Sequence, residues 1–313
     1  MRPPVLVVGC GVIGLSCALE LQRAGFEVTI AARALPPDTV SNIAAAIWSP
    51  YAVAPRERCD AWAMVSYGVF QEHARDASSG VLLRSGIELY PANCPAVPLI
   101  RDLSGARAAR PEELRPGFAA GIVFEAPVIE TPVYLPWLVR EFERGGGAIE
   151  VVDFQSLDEA LERAPIVINC SGLGARELAR DDSMFAIRGQ IVRVERGSVE
   201  KFALDHDPSG GTTYVIPRSQ DCVLGGTRDE RNEDLRVDPR QSEDIVRRCA
   251  TLVPEVAKSR ALETLVGLRP GRPSVRLEVE QRARGKIVHN YGHGGGGVTL
   301  SWGCAREVLH LCG

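Results

Sequence analysis

The chain has 313 residues, of which 45% are hydrophobic and 24% charged, a composition typical of a globular protein with one large or two ordinary domains. Its net charge of −4 excludes the strong positive charge that draws proteins to nucleic acid or anionic lipid. No apolar run reaches the length of a membrane-spanning helix. The nine cysteines form no CxxC pair and lie mostly in apolar contexts, so we expect buried thiols rather than disulfides or a metal site.

Neither end of the chain shows a recognisable targeting signal. The N-terminal residues lead directly into an apolar strand, without the charged and apolar regions of a signal peptide. The chain closes with Leu311-Cys312-Gly313 rather than with the S-K-L sequence of a peroxisomal signal. We therefore expect a cytoplasmic protein that engages neither membranes nor nucleic acid.

The first recognisable motif is a glycine-rich turn between a predicted strand and a predicted helix. The stretch VLVVGCGVIGLSCAL, residues 5–19, begins with an apolar run typical of a buried parallel strand and continues with helical spacing. In this context G-x-G-x-x-G predicts a dinucleotide site. Gly9 permits the tight turn, Gly11 lets the backbone approach a pyrophosphate, and Gly14 allows close packing of helix and strand. An ordinary glycine-rich turn is the alternative.

The second predicted strand, residues 26–31, ends without the acid that usually binds a ribose hydroxyl in dinucleotide-binding folds. The chain reads Ala31-Ala32-Arg33 instead. Taken with the glycine turn alone, Arg33 indicates a 2′-phosphate and hence NADP. This interpretation stays open until the C-terminal region is considered.

A stretch of small residues follows, SNIAAAIWSPY at residues 41–51. The side chains of Ala44, Ala45 and Ala46 are small enough for the backbone to approach a flat ligand closely. Pro50 ends the segment. A buried short helix is the alternative for this stretch.

The remaining pattern predicts two interleaved domains. Strand and helix patterns alternate over residues 135–170, and the last strand ends in small residues, as at the point where a cofactor crosses a parallel sheet. We therefore predict an α/β protein in which a Rossmann-like nucleotide domain is interleaved with an α+β domain built on a mixed sheet. The predicted nucleotide domain comprises residues 1–50, 133–183 and 281–313, and the second domain comprises residues 51–132 and 184–280.

A second glycine-rich turn lies near the C-terminus, in IVHNYGHGGGGVTLSWG at residues 287–303. Its amides and the positive end of the following helix would face electron-rich ligand atoms. A nicotinamide enzyme has no evident need for a second such turn. A reduced flavin does, because its ring carries negative charge near N1 and C2=O that the protein tunes. His293 could be mistaken for a catalytic base, but its glycine neighbours favour a local hydrogen bond.

Two side chains from other stretches are candidates for binding an acidic group. Strand alternation in LRPGRPSVRLEVE, residues 268–280, makes Arg276 either a solvated edge residue or a clamp whose planar guanidinium matches both oxygens of a carboxylate. The alternation alone favours the solvated residue. Tyr214, in TTYVIP, is more typical of strand packing unless it acts together with Arg276.

Taken together, these stretches resemble the D-amino-acid oxidase family, in which D-aspartate oxidase is a close relative. The resemblance covers nearly the whole chain. It is carried by VVGCGVIGLS, AAAIWSPY, YLPWL, VINCSG, RGQI, TYVIP, LGGTR, VGLRPGRPSVRLE and HNYGHGGGGVTLSWGCA. The last two stretches are far more specific than the first glycine motif.

The resemblance implies non-covalently bound FAD, so that the first predicted domain binds FAD and the second binds the substrate. It assigns the first glycine turn to the pyrophosphate, the alanine stretch to the flavin, and the C-terminal turn to the N1–C2–N3 edge of the flavin ring. The cofactor-binding residues that it implies are Gly9, Cys10, Gly11, Val12, Ile13, Gly14, Arg33, Ser41, Ala45, Ala46, Ile47, Phe154, Ser171, Gly294, Gly296, Gly297, Val298 and Thr299.

The resemblance also implies the substrate contacts. Arg276 would pair with the substrate carboxylate, Tyr214 would assist it, and the carbonyl of Gly295 would accept a hydrogen bond from the amine. The α-hydrogen would pass as hydride to flavin N5, and the imino acid would hydrolyse to a 2-oxo acid and ammonia. Oxygen would reoxidise the flavin and yield hydrogen peroxide. Orientation and flavin chemistry would suffice, without a general base or a metal.

Three features depart from the family pattern. Ala32 replaces the acid beside Arg33 that contacts the ribose, and Ser49 replaces a glutamine beside the flavin, which would enlarge the substrate site. Residues 208–211 lack the tyrosine that vertebrate enzymes carry on a mobile lid. We therefore expect a more open site and weaker gating of product release.

The residues near this lid bear on the substrate class. Residues 202–213 contain Asp205 and Asp207 but no Arg or Lys, which disfavours acidic substrates and favours neutral, bulky or basic D-amino acids. The expected partners are a D-amino acid and molecular oxygen, with a homodimer left open. The alternatives are a D-aspartate oxidase, which LGGTR resembles, a glycine- or sarcosine-type flavin amine oxidase, an NADP-dependent dehydrogenase, and a nucleotide-binding module without enzymatic activity.

Overall fold

The computed structural model describes residues 2–50, 53–92, 94, 97–205 and 213–313. Its strands are β1 (Val5–Val8), β2 (Val28–Ala32), β3 (Val81–Tyr90), β4 (Arg107–Ala108), β5 (Ala120–Ile129), β6 (Ala148–Val151), β7 (Ile166–Asn169), β8 (Phe185–Glu195), β9 (Phe202–Asp205), β10 (Thr213–Pro217), β11 (Asp221–Gly225), β12 (Asp229–Glu230), β13 (Ala261–Gly271), β14 (Arg276–Arg282) and β15 (Gly285–Tyr291). Its α-helices are α1 (Val12–Arg23), α2 (Val40–Ile43), α3 (Arg56–His73), α4 (Pro98–Arg101), α5 (Thr131–Arg144), α6 (Leu157–Leu161), α7 (Ala175–Leu178), α8 (Pro239–Leu252) and α9 (Gly297–Cys312). Short 3-10 helices span Pro111–Glu113, Gly172–Gly174, Pro254–Lys258 and Gly294–Gly296.

Six strands form the first sheet, in the order β14-β15-β7-β1-β2-β6. They pair in parallel, except that β14 runs antiparallel along one edge. β1 and β7 are apolar or buried along their whole length, as expected for central strands covered on both faces. Helix α1 packs against α9 and α5 beside this sheet. The Rossmann-like α/β fold predicted from the sequence is confirmed.

The second sheet is mixed, with the order β12-β8-β11-β10-β9-β3-β5-β4 and with β13 paired to the other edge of β8. Its neighbours are antiparallel, except that β3 and β9 run parallel. β13 follows β8 closely, so that Gly267 lies opposite Gly189 and Arg269 lies opposite Ile187. One face of this sheet contributes side chains to the large cavity of the protein.

The chain returns to the first sheet earlier than the predicted domain boundary between residues 280 and 281. β14 pairs with β15 along its whole length, from Arg276 opposite Tyr291 to Arg282 opposite Gly285. Alternating charged and apolar residues predict a strand here, but they do not show which sheet it joins. The pairing places Arg276 in the first sheet, whereas the predicted boundary placed it in the second domain.

The nine cysteines are free thiols, as expected, and all except Cys94 are buried. Burial raises the pKa of Cys10 and Cys222 to about 12. These thiols therefore stay protonated at neutral pH, and they behave as small apolar side chains of the core.

Candidate active site

A cavity of about 1400 Å³ extends from the carboxyl ends of β1, β2, β6, β7 and β15 to the inner face of the mixed sheet. In parallel sheets, ligands bind at the carboxyl ends of the strands, where the strand order reverses. Here β2 and β7 lie on opposite sides of β1, so the crevice opens above β1. Typical small-molecule pockets measure ~300–1,000 Å³. This cavity has room for a dinucleotide together with a substrate.

The first glycine turn lies at the carboxyl end of β1, in the cavity wall. Gly9 has a φ of +115°, and a Cβ at this position would lie 2.4 Å from the carbonyl oxygen of Cys170. A Cβ on Gly14 would lie 1.9 Å from the carbonyl oxygen of Gly9, so α1 can pack this closely on β1 only with glycine there. The N–H of Val12 donates to Ser41 Oγ at 3.0 Å. The turn thus has the geometry that the motif predicts.

Most of the residues predicted to bind the cofactor share this one cavity. Those that line it are Gly9, Cys10, Gly11, Val12, Ile13, Arg33, Ser41, Ala45, Ala46, Ile47, Phe154, Ser171, Gly294, Gly297, Val298 and Thr299. Gly14 and Gly296 lie behind the lining, where Gly296 is buried against Val53. Residues from six separate stretches of the chain therefore converge on one binding site.

The far end of the cavity lies where β2 and β6 end. Ala32 is buried there, and Arg33 is exposed on the rim. Phe154 is buried beside them. Asp38 and Asp153 are exposed acids of the same cavity wall. A nucleoside bound at this end would meet these carboxylates in place of the acid that Ala32 replaces.

The alanine stretch forms an irregular segment, with Ala46 at a φ of +51°, that is tied to β5. The N–H of Ile129 donates to the carbonyl oxygen of Ala46 at 2.7 Å, and the N–H of Trp48 donates to that of Pro127 at 2.8 Å. Trp48 is fully buried and anchors the segment in the core. The helix α2 ends before Ala44, so the alternative of a buried helix does not hold for the alanines. Their backbone lines the cavity instead.

The second glycine turn connects β15 to α9 at the other side of the cavity. Gly292 and Gly294 have φ values of +82° and +53°, which favour glycine. The first residues of α9 line the cavity, and the N–H groups of a first helical turn have no partners within the helix. Thr299 Oγ1 accepts a hydrogen bond from the N–H of Ser49 at 3.2 Å and donates to its carbonyl oxygen at 3.0 Å. This pair ties the turn to the end of the alanine stretch.

His293, within this turn, is fully buried. Its Nε2 atom is closed to solvent and has no hydrogen-bond partner in the part of the chain that the structure describes, so the expected local hydrogen bond is not found for this atom. Burial lowers the pKa of His293 to about 3. The imidazole is therefore neutral at physiological pH, and its Nε2 is not positioned to take a proton from a substrate.

Ser171 ends a chain of hydrogen bonds that begins near the surface. Its O–H donates to Asn169 Oδ1 at 2.7 Å, and Asn169 Nδ2 lies 3.2 Å from His289 Nδ1. His289 Nε2 lies 2.9 Å from Glu280 Oε2. Because an amide NH₂ can only donate, His289 Nδ1 accepts and the ring proton lies on Nε2, facing the carboxylate. Burial lowers the pKa of His289, against the effect of Glu280, and this chain of hydrogen bonds orients the hydroxyl of Ser171 in the cavity wall.

Tyr214 lies on the inner face of the mixed sheet and lines the cavity. Its ring passes directly over Gly225, where a Cβ would lie 2.0 Å from the ring carbon Cζ. The glycines of LGGTR therefore make space for this side chain. Burial raises the pKa of Tyr214, and the nearby charge and hydrogen bond of Arg269 oppose that rise. Tyr214 is thus a protonated, half-buried tyrosine whose hydroxyl contacts an arginine.

Arg269 is the cationic partner that reasoning from the sequence missed. It lines the cavity, and its Nη1 donates to the carbonyl oxygen of Thr227 at 3.0 Å. Its guanidinium lies flat against Gly189, where a Cβ would be 2.2 Å from Nη1. A Cβ on Gly295 would lie 3.7 Å from Arg269 Cδ. Arg269, Tyr214 and Gly295 therefore meet at one point of the cavity wall.

The expected position of Arg276 is corrected by the structure. Arg276 lies on the edge strand β14, outside the cavity lining. Its Nε donates to Glu278 Oε1 and its Nη1 to the hydroxyl of Tyr291, both at 2.7 Å. The proline-rich turn after Gly271 separates the two arginines, because it ends the strand of the mixed sheet before Arg276 is reached. The prolines in LRPGRP could have indicated this break, because proline interrupts strand pairing and so leaves Arg269 on the earlier strand, β13.

Two further predictions concern the substrate side. Ser49 lines the cavity, so a serine and not a larger glutamine faces the ligand space. The lid stretch at residues 208–211 lies outside the described residues, and so does Asp207. The expected weaker gating stays a prediction.

The arrangement fits a flavin dinucleotide. The N-termini of α1 and α9 both face the cavity, so one can hold a pyrophosphate and the other the electron-rich edge of a flavin ring. The small side chains of the alanine stretch between them leave space for a flat ring. A nicotinamide dinucleotide accounts for the first turn only. Fold and site therefore define a flavin-dependent oxidoreductase.

Comparison with known proteins gives the family. Residues 4–311 match the DAO family of FAD-dependent oxidoreductases. The chain is 50% identical over 310 residues to a D-amino-acid oxidase of Rubrobacter xylanophilus, covering 98% of this chain and 95% of that protein. It is 40% identical over 315 residues to a D-amino-acid oxidase of Streptomyces coelicolor, covering 98% and 96%. The fold is similar to that of glycine oxidase from Geobacillus kaustophilus, with a TM-score of 0.78 at 18% identity over 99% of this chain and 94% of that one. The chain belongs to the DAO family, and FAD, not NADP, is its cofactor.

Two other classes of site are absent from residues 2–50, 53–92, 94, 97–205 and 213–313. In these ranges no helix has both the length and the apolar character needed to cross a membrane. Within the same ranges, no group of three His, Cys, Asp or Glu side chains could hold a metal ion.

Proposed function

We propose that the protein oxidises D-amino acids to 2-oxo acids, with ammonia and hydrogen peroxide as the other products. Bound FAD supplies the hydride acceptor and is reoxidised by oxygen. The observation that carries the proposal is the contact of Arg269 with Tyr214 beside Gly295, on the wall of the cofactor cavity. The two curated relatives described above are D-amino-acid oxidases, which supports the same activity.

Arg269 holds the substrate carboxylate in this proposal. Thr227 fixes one edge of its guanidinium, and Gly189 lets one face lie against the sheet. The N–H groups that remain can form two parallel hydrogen bonds with a carboxylate, a geometry that an arginine offers and a lysine does not. The hydroxyl of Tyr214 can donate a further hydrogen bond to the same carboxylate.

Gly295 supplies the second point of attachment. Its carbonyl oxygen would accept a hydrogen bond from the substrate amine, in a turn that the Thr299–Ser49 pair holds in place. With carboxylate and amine both fixed, only one enantiomer directs its α-hydrogen towards the cofactor. Positioning of this kind lowers the activation barrier without a general base at the α-carbon. This agrees with the burial of His293 Nε2, which solvent cannot reach.

The cavity wall allows a second candidate, the oxidation of acidic D-amino acids. Arg228, in the turn before β12, lines the cavity, whereas the argument from the sequence considered only residues 202–213. Its guanidinium pairs with Glu230 at 2.9 Å. The apolar side chains of Leu204 and Ile216 favour neutral substrates on the same wall. Relative turnover of D-aspartate and D-valine separates the two candidates.

The visible spectrum of the purified holoenzyme tests the proposed function. Without oxygen, D-alanine should bleach the flavin bands, and L-alanine should leave them unchanged. Bands that persist with D-alanine, D-valine and D-phenylalanine but bleach with glycine or sarcosine would contradict the proposal in favour of a glycine-type oxidase. Faster bleaching by D-aspartate than by neutral D-amino acids would favour the second candidate.

A further inference from the structure

A second pocket lies outside the cofactor cavity, between the C-terminal end of α3 and the first half of β3. Its volume is about 450 Å³, which is within the usual range of small-molecule sites. Gln71, Ala74 and Arg75 line it on one side, and residues 81–84 of β3 line it on the other. Among the described residues, this lining contains two cations, Arg75 and Arg84, and no carboxylate, although the chain has a net charge of −4.

Neither guanidinium in this pocket has an acceptor in the described part of the chain. Arg75 is exposed just after the end of α3, and Arg84 is half-buried on β3. Arg84 Nε is closed to solvent and makes no hydrogen bond to any described residue. By contrast, the half-buried Arg272 pairs with Asp181 at 3.0 Å. A buried donor on a charged group is costly without an acceptor, so Arg84 indicates that an anion binds beside it.

The edge of β3 adds a backbone donor to the same pocket. β5 pairs with the whole of β3, whereas β9 joins the other edge only from Gly86 onwards, so within the described ranges this edge is open over residues 81–85. The N–H of Val81 points to this edge, where it donates to Ser79 Oγ at 3.1 Å. Successive N–H groups of a strand point to opposite edges, so that of Leu83 points to the same edge as that of Val81. Leu83 lines the pocket, and its N–H can therefore donate to a ligand there.

The end of α3 offers little repulsion to an anion. A helix C-terminus is partly negative because its last carbonyl oxygens lack partners within the helix. Here the carbonyl oxygens of Phe70, Glu72 and His73 already accept hydrogen bonds from the turn that follows. The positive charge of Arg75 offsets the remaining negative charge of the helix end.

We propose that this pocket binds a phosphate group, either as the free ion or as part of a small phosphate ester. The two guanidinium groups balance the two negative charges that a phosphate group carries above its second pKa, and their N–H groups match its oxygens in pairs. The N–H of Leu83 and the amide of Gln71 supply neutral donors. The side chains of Leu82 and Leu83 provide an apolar wall for the organic part of an ester. The site is independent of the proposed reaction.

Titration of the native holoenzyme with inorganic phosphate at pH 8, followed by phosphorus NMR, tests the site. We expect a dissociation constant of about 1 mM, which Arg84→Met should raise about tenfold or more. Arg75→Met should raise it about threefold, because Arg75 is more exposed. Arg140→Met is the matched control, because Arg140 is an exposed arginine of α5 that lines neither pocket, and it should leave the constant unchanged.

Phenyl phosphate separates the two sources of the phosphate group. Binding about tenfold tighter than that of inorganic phosphate would assign the pocket to an ester whose apolar part lies against Leu82 and Leu83, because burial of its ring adds to the affinity. Equal or weaker binding would assign the pocket to the free ion.

Two results would overturn the inference. One is that neither probe binds the native holoenzyme at about 20 mM, well above the expected dissociation constant. The other is that Arg84→Met binds both probes as tightly as the native protein does. If Arg84→Met loses its flavin absorbance and has therefore not folded, native affinity in Arg75→Met overturns the inference instead. Because the readout is binding and not turnover, each of these results leaves the proposed function standing.

Discussion

The cofactor half and the substrate half of the cavity are built in different ways. In the cofactor half, the lining comes from short continuous stretches, such as the turn from Gly9 to Val12. In the substrate half, Arg269, Tyr214 and Leu204 come from three separate strands of one sheet, and only the pairing of those strands brings them together. The first half is encoded locally, and the second is encoded in strand register.

This difference explains why the two halves respond differently to substitution. A glycine turn fails when a side chain enters it, because neighbouring backbone atoms occupy the space. A site whose side chains are brought together by strand pairing loses its function when one of those side chains is removed. It also does so when a glycine that makes room for one of them is replaced by a larger residue. Substitution of each arginine in turn can therefore show whether Arg269 or Arg276 binds the substrate carboxylate, and neither substitution alters the cofactor half.

The largest expected effect is that of Arg269→Met. Removing a guanidinium that pairs with a substrate carboxylate typically costs 2–5 kcal/mol or more, so kcat/KM for D-alanine should fall about a hundredfold or more. Arg276→Met is the matched control, because Arg276 itself lies outside the cavity lining, where it pairs with Glu278 and the hydroxyl of Tyr291, and its kcat/KM should stay within about threefold of native. Steady-state rates of peroxide formation measure both. A larger loss for Arg276→Met would restore the assignment made from the sequence.

Gly225→Ala tests whether the glycines of LGGTR support the substrate half. The added Cβ would lie 2.0 Å from the ring of Tyr214, so the ring must shift from the position in which it contacts Arg269. We expect kcat/KM for D-alanine to fall about tenfold or more, with the flavin spectrum retained. Gly68→Ala in α3 is the control, because a Cβ there meets nothing within 4 Å. Equal activity of both variants would contradict the role given to Gly225.

A smaller effect is expected for Ser41→Ala in the cofactor half. Ser41 Oγ accepts a hydrogen bond from the N–H of Val12 at 3.0 Å, at the start of α1. Loss of one hydrogen bond costs about 1 kcal/mol, so the dissociation constant of FAD should rise about fivefold, while kcat at saturating FAD stays near native. Titration of the apoprotein with FAD gives the constant. An unchanged constant would show that this contact does not support the turn.

The last prediction concerns the pH dependence of stability, which does not involve the substrate. Burial lowers the pKa of His73 to about 4 and that of His293 to about 3, from an ordinary value of 6.5. Below pH 6.5 the unfolded chain therefore binds protons that the folded protein does not, so the free energy of unfolding falls as pH falls towards 4, by up to about 1.4 kcal/mol per pH unit for each histidine. Urea unfolding of the holoenzyme at pH 7 and pH 5 measures the loss. His293→Asn should reduce it, and an unchanged loss would contradict a neutral buried His293.

The sequence was sufficient for the fold, and most of the residues that it predicted for the cofactor line one cavity. Strand, glycine turn and helix follow one another between Val5 and Arg23, so their local pattern predicts their geometry. The sequence was insufficient to identify the arginine that binds the substrate carboxylate. LRPGRPSVRLE contains three arginines, and the alternation of residues does not show which strand or which sheet each of them joins. Arg269 reaches Tyr214 only because β13 pairs with β8 at Gly189, which is a contact between distant parts of the chain.

The most direct measurement is anaerobic bleaching of the flavin by D-alanine, compared between the native holoenzyme and Arg269→Met at equal substrate concentration. The account predicts fast bleaching by D-alanine and none by L-alanine in the native protein, and bleaching slowed about a hundredfold in the variant. Bleaching of native flavin by L-alanine, or equal rates for the two proteins with D-alanine, would contradict it.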